Sequence, residues 1–137
     1  MAASDGVRDN PAAGLGLWPG TIVQELGWDS DVDYDLRAGI EEIICDELTD
    51  EDATLYEPVH CVLLWWRNGD GNLRRQLTEA QRSLIDDGQI WLLTPTAGPD
   101  HVDSAKITQS AATAGLHHIS TLSINTWTGH HLCRPSQ

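Results

Sequence analysis

Val59-His-Cys-Val-Leu-Leu-Trp-Trp66, followed by Arg67-Asn-Gly-Asp-Gly71, is the stretch on which the fold of this chain turns. The first eight of these residues include one polar side chain, His60. A strand wetted on one side alternates polar and apolar residues, whereas a strand covered on both sides has no reason to alternate. The unbroken apolar run therefore predicts a strand in a parallel sheet flanked by helices on both faces. Gln89 to Thr94 repeats the pattern through Ile90, Trp91, Leu92 and Leu93, and Pro95 ends it.

Working outward, Asn72 to about Asp86 carries Leu73, Leu77, Ala80 and Leu84 at helical spacing, with Gly88 placed as a left-handed stop. On the other side, Thr21 to Leu26 reads as a short strand stopped by Gly27. Ser30 and Asp33 have the form of a capping pair, and Val32, Leu36, Ile40, Ile43, Ile44 and Leu48 give the helix behind it an apolar stripe. Asp46 to Pro58 is an acidic loop. After Pro95, Asp103 caps a third helix carrying Ile107, Ala111 and Ala114, which Gly115 ends. Leu116 to Ile124 follows as a strand, Asn125 to Gly129 turns, and His130 to Arg134 returns as an antiparallel edge. The order predicts an α/β fold: a small, Rossmann-like, mainly parallel sheet with helices on both faces and a C-terminal antiparallel hairpin. Residues 1–20, rich in Gly, Ala, Asp and Pro, read as a flexible leader that docks through Trp18, and residues 21–134 as one domain.

The 137 residues carry a formal charge of −13, and its placement matters more than its size. Residues 1–58 hold fifteen of the 21 acids against Arg8 and Arg37 alone, whereas residues 59–137 hold six of each sign. That field repels phosphate backbones and anionic membranes, so neither nucleic acid nor membrane is an expected partner, while a basic protein is compatible with it. No apolar run approaches the roughly 20 residues that cross a bilayer, and Met1 to Asn10 lacks the order of a secretory signal. A soluble cytoplasmic protein is expected. Cys45, Cys61 and Cys133 are odd in number and widely spaced, which fits buried inert thiols better than a disulfide framework.

In an open α/β sheet, functional groups collect where the carboxyl ends of strands meet helix N-termini. This points to three loops: Gly27-Trp28-Asp29, Arg67 to Gly71, and Thr94 to Gly98. Trp28, Asp29, Trp66, Arg67, Asn68, Asp70 and Thr94 are the candidate ligand- or partner-binding residues. Flat apolar walls beside a guanidinium and carboxylates suit a small organic ligand. The competing reading has the tryptophans filling the core edge while Arg67 pairs with Asp70 or Asp29.

Other motifs carry less. Asp29, Asp31, Asp33 and Asp35 alternate like a calcium loop, but Leu36 stands where such a loop needs Gly, and acids at a helix start need no metal to explain them. His118, His131 and Cys133 form the best metal-ligand trio, without a fourth ligand. No nucleophile elbow, phosphate loop or dinucleotide fingerprint occurs, Gly14-Leu-Gly16 lying ahead of the first strand. Neither a metal nor a cofactor is expected, and no catalytic residue is assigned.

Gly27-Trp-Asp29, Leu64-Trp-Trp-Arg-x-Gly-Asp-Gly71, Asp87-Gly-x-Ile-Trp91, Thr94-Pro95, Thr113-Ala-Gly-Leu116 and Trp127-x-Gly129 resemble motifs of a family of small actinobacterial proteins of unknown function. A more distant likeness is to the later half of class I methyltransferases. Those enzymes hold the methyl donor with a Gly-rich loop after their first strand and an acidic residue ending the second. The resemblance implies a shortened methyltransferase-like sheet without donor binding, since the corresponding loop here holds Trp28. The expected function is a non-catalytic binding or regulatory module for an unknown small molecule or protein. The alternative is a small enzyme acting on an anionic or aromatic molecule at the carboxyl edge, with Asp29 or Asp70 as base. A homo-oligomer assembled through the Trp127 hairpin is the third reading.

Overall fold

A computed structural model describes residues 10–49 and 58–135. The expected start of the leader and most of the acidic loop lie outside the described residues. A five-stranded sheet forms the centre, built from β1 (Val23–Leu26), β2 (Val59–Trp65), β3 (Leu84–Pro95), β4 (His117–Ile124) and β5 (Trp127–Cys133) in the spatial order β1-β2-β3-β5-β4. β1, β2 and β3 run parallel, and β5 lies antiparallel between β3 and β4. Helices α1 (Tyr34–Ile44), α2 (Leu73–Ala80) and α3 (Ser104–Thr113) cover the two faces.

The two-sided burial read from β2 is what the strand does. Val62, Leu64 and Trp66 enter one apolar cluster with Leu73 and Leu77 of α2 and Ile107 and Ala111 of α3. Cys61, Leu63 and Trp65 enter the other, with Leu36, Ile40 and Ile44 of α1. Ile90 and Leu92 of β3 join the first cluster, and Trp91 and Leu93 the second. Period-2 side-chain direction thus sorts each apolar strand into two cores.

Several boundaries differ from expectation for physical reasons. Asp33 is itself the N-cap of α1, accepting from the Leu36 amide, so Val32 precedes the helix. Cys45 ends α1 in the left-handed region at φ +63° and is exposed, not buried. α2 stops at Ala80, and Leu84 reaches the core from a strand. Gly88 is therefore no helix stop. It is buried in β3, where the pairing with β2 jumps from Val59↔Leu84 to Cys61↔Gln89 and a Cβ on Gly88 would meet the His60 carbonyl at 3.0 Å. Arg134 closes the irregular stretch, donating to the carbonyls of Gln81 and Ile85 at 2.8 and 2.7 Å. β5 is interior rather than an edge, and the outer position belongs to β4.

Residues 10–20 are built into the fold. Asn10 donates to the Gly39 carbonyl on α1, Ala12 and Leu15 are buried, and the Leu15 carbonyl accepts from the Trp91 indole at 3.1 Å. Trp18 stays half-exposed with its edge toward His60. α1 leads first to Thr49, which forms a single parallel bridge with Gln24 on the outer side of β1. Among the described residues that bridge is all that stands beyond β1.

Candidate functional site

The carboxyl ends of β1 and β2 meet at the side chain of Arg67. Gly27 turns the chain out of β1 at φ +76°, close against the Trp65 carbonyl. Arg67, one residue beyond the buried Trp66, folds back over this turn and is itself only 9% exposed. Its Nη1 donates to the Gly27 carbonyl at 2.8 Å, and Nε and Nη2 form a two-pronged pair with Asp31. The guanidinium also lies 5.5 Å from the Trp127 ring centre, within cation–π range. Asp70 accepts from the Arg67 backbone amide at 3.0 Å, and its carboxylate stands 3.5 Å from Nη1. Arg67 hydrogen bonding pulls the Asp31 carboxyl below its usual range. Burial works to lower the Arg67 pKa, but the two carboxylates outweigh it.

Beneath the guanidinium, Trp65 is fully buried, packs edge-on against Trp127 at 4.8 Å, and donates its indole N–H to Glu25 at 2.9 Å. Glu25 also receives both prongs of Arg37 from α1. The carboxyl end of β1 is thereby tied to β2, α1 and the β4–β5 hairpin through buried charged groups.

The candidate residues are not gathered into one pocket. Trp66 belongs to the core, Trp28 is 51% exposed, and Asn68 is exposed with its amide bonded to the Asp100 carbonyl. Asp29 accepts from the Ser30 amide and is also exposed. Thr94 is buried elsewhere, 3.3 Å from His130. The partner of Arg67 among the acids of the first loop is Asp31, not Asp29. Two open clefts lie outside the Arg67 crevice: one of about 530 Å³ running along α1 and lined by Asn10, Asp35, Glu42 and Asn125, and one of about 470 Å³ lined by Thr108, Leu116, His118 and Ile119.

His118 faces His130 and lies on the opposite face from His131, so these side chains do not meet as a trio with Cys133, and no group of three or more metal-ligating side chains stands among the described residues. His131 stacks on Trp91 and contacts Cys133. His118 instead joins a chain that sequence reading missed: Thr108 Oγ1 to His118 Nδ1 at 2.8 Å, His118 Nε2 to His130 Nδ1 at 3.2 Å, and His130 Nε2 to Thr94 Oγ1 at 3.3 Å. One proton per imidazole satisfies the whole run. Its members come from α3, β4, β5 and β3, so only cross-strand register could reveal it. The Cys61 thiol, fully buried, is pushed up to about 12 and is inert.

Burial, then the neighbouring His118 and His101, lowers the His130 pKa from 6.5 to about 4. Below pH 6.5 the unfolded chain takes up a proton that the folded chain refuses until about pH 4, so stability is lost across that window. Urea unfolding at pH 5 is expected to give about 2 kcal/mol less stability than at pH 7 from this group. His130→Gln should remove most of that difference, leaving the smaller share of His131, which burial shifts in the same direction.

Five strands in this order, two parallel units followed by an inserted antiparallel strand, define a methyltransferase-like fold. The chain is similar over 98% of its length to the pyocyanin biosynthetic protein PhzM (TM-score 0.68, 11% identity) and to the mitomycin 7-O-methyltransferase MmcR (TM-score 0.65, 9% identity). It spans 56% and 55% of those two chains. Magnesium protoporphyrin IX methyltransferase from Synechocystis, solved with bound SAM, matches at a TM-score of 0.52 and 13% identity over 98% of this chain and 79% of its own. At such identities the likeness is one of fold. The chain belongs to the family described as "Protein of unknown function (DUF3052)", which residues 12–136 match. Uncharacterized proteins of Mycobacterium tuberculosis and Mycobacterium bovis are each 45% identical over 127 residues, 92% of this chain and 79% of theirs.

The described residues at the ends of β1 and β2 do not fit a methyl donor. The loop after β1 has a single glycine, already pressed on Trp65, and the space between the ends of β1 and β2 is taken by the Arg67 guanidinium. On the outer side of β1 the described residues place a single parallel bridge between Thr49 and Gln24.

Proposed function

We propose that this protein is a non-catalytic binding module that uses the carboxyl edge of a methyltransferase-like sheet to hold a basic segment of a protein partner. The observation that carries this reading is the bonding of Arg67. A group held by Gly27, Asp31 and Asp70 fills the crevice a small substrate would enter and fixes the loop above it. Outside that plug, Trp28 and Tyr34 are each about half exposed on the segment that carries the exposed Asp29 and Asp35, with the Arg37 guanidinium already 5.9 Å over the Tyr34 ring. An exposed indole on an acidic segment, here Trp28, attracts Lys and Arg side chains through cation–π and ionic contacts.

Two measurements test it. Calorimetric titration with S-adenosylmethionine is expected to show no binding up to millimolar ligand, and a micromolar dissociation constant would overturn the reading. In-cell cross-linking followed by mass spectrometry is expected to recover a partner through a basic segment, with recovery at least tenfold lower for Trp28→Ala. Because Trp28 is half-exposed, the variant should melt within a few degrees of the parent. Undiminished recovery with Trp28→Ala would place the partner elsewhere.

A further inference from the structure

We propose that Asn68 is a site of covalent self-modification: its carboxamide closes on the Gly69 main-chain nitrogen to a succinimide, which water opens to aspartyl and isoaspartyl forms. The inference is independent of what the carboxyl edge binds.

Ring closure needs an asparagine carboxamide without a hydrogen bond to hold it, an equally free main-chain N–H on the next residue, and no Cβ beside that nitrogen. Asn68 and Gly69 are both exposed in the turn between β2 and α2. The Asn68 main-chain amide donates to the Asp100 carbonyl at 2.9 Å, but neither the Asn68 carboxamide nor the Gly69 amide has a partner among the described residues. Nothing lies within 4 Å of the would-be Cβ of Gly69, so the turn is open on that side. The other three asparagines lack the combination. Asn10 precedes a proline, which has no N–H, and its carboxamide is bonded to Gly39 and Glu42. Asn72 accepts from the Arg75 amide and precedes Leu73, and Asn125 donates to Asp33 and precedes Thr126.

Water is the single co-reactant. The Gly69 nitrogen bonds to Asn68 Cγ, the Cγ–Nδ2 bond breaks, and ammonia leaves with the proton that Gly69 gives up. Water then cleaves one of the two ring C–N bonds. Cleavage at Cγ leaves an ordinary aspartyl residue, whereas cleavage at the α-carbonyl leaves an isoaspartyl residue whose main chain runs through Cβ and Cγ, one methylene longer. The folded turn governs the rate. Gly69 sits at φ +98°, Asn68 has no positive φ, and the Asp70 amide donates to the Arg67 carbonyl at 3.0 Å, which together define a type II turn. That geometry points the Gly69 nitrogen away from the Asn68 side chain, so the peptide between them must rotate before the ring closes. The bond from the Arg67 amide to Asp70 at 3.0 Å braces the turn against this rotation. Either product adds a negative charge next to Arg67, and the isoaspartyl form lengthens the turn from which Arg67 reaches back to Gly27.

Incubation of the folded full chain at mildly alkaline pH, followed over weeks by peptide mapping and mass spectrometry, tests this. The expected result is a gain of about 1 Da confined to the peptide that holds Asn68, with two products that separate by chromatography. Isomerisation at an Asp-Gly pair such as Asp70-Gly71 leaves the mass unchanged and is distinguished on that ground. Gly69→Ala should slow the gain by about tenfold, and Asp70→Ala, which removes the brace, should hasten it by about threefold, both with unchanged circular dichroism spectra. The full chain incubated in urea supplies the unrestrained rate. A gain that appears only in urea overturns the proposal, because the native turn then blocks closure. So does an equal gain at Asn10, Asn72 or Asn125, or a Gly69→Ala rate equal to that of the parent.

Discussion

Trp65→Ala is expected to destabilise the fold by about 4 kcal/mol, read as a lower urea midpoint at nearly unchanged slope. Trp65 is fully buried at the centre of the cluster shared by α1, β2 and the hairpin, and its loss opens a cavity against Trp127 and Leu36 that a sheet on one side prevents from collapsing. The indole N–H bonded to Glu25 adds to the cost, though Arg37 still neutralises that carboxylate. Trp65→Phe keeps most of the packing and loses the N–H bond, so about half the effect should remain. Equal effects from the two substitutions would mean that the hydrogen bond, not the packing, holds this core.

Gly27→Ala should cost at least about 3 kcal/mol, because two penalties combine at one residue. The backbone sits at φ +76°, where a Cβ costs about 1–2 kcal/mol, and that Cβ would fall on the Trp65 carbonyl oxygen. The carbonyl cannot retreat, since β2 is laddered on both sides and Arg67 bonds the Gly27 carbonyl from above. Gly16 supplies the control. Its φ is +73° but nothing lies within 4 Å of its would-be Cβ, so Gly16→Ala should cost about 1 kcal/mol, the backbone share alone. Similar losses at the two positions, measured by urea unfolding, would show that the close approach at Gly27 is relieved by loop movement. A Gly27→Ala chain that still folds should also lose the geometry that presents Trp28, and with it the proposed partner.

Arg67 was legible as a candidate position because a charged residue ends an apolar strand where α/β sheets place their sites. Its pairing with Asp31 rather than Asp29 was not, since the direction of a side chain in a loop depends on the turn at Gly27 and on the Asp33 cap that follows. Of the two readings of Trp66, pocket wall and core edge, the core is its place, because strand alternation sends it to the face covered by α2 and α3. Trp28, next to a left-handed glycine, is turned outward instead.

The parallel centre of the sheet, the apolar faces of three helices and the segregation of negative charge were legible in the sequence. Each is written in short-range periodicity or in composition, which neighbouring residues carry without reference to the rest of the chain. Tertiary structure alone decided that β5 lies between β3 and β4, that Gly88 marks a slipped register rather than a helix end, and that Arg67 closes the crevice at the carboxyl edge. It also decided that His118 meets His130 rather than His131. Those outcomes depend on which strands become neighbours and in what register, and a one-residue slip would exchange every side chain between the two faces.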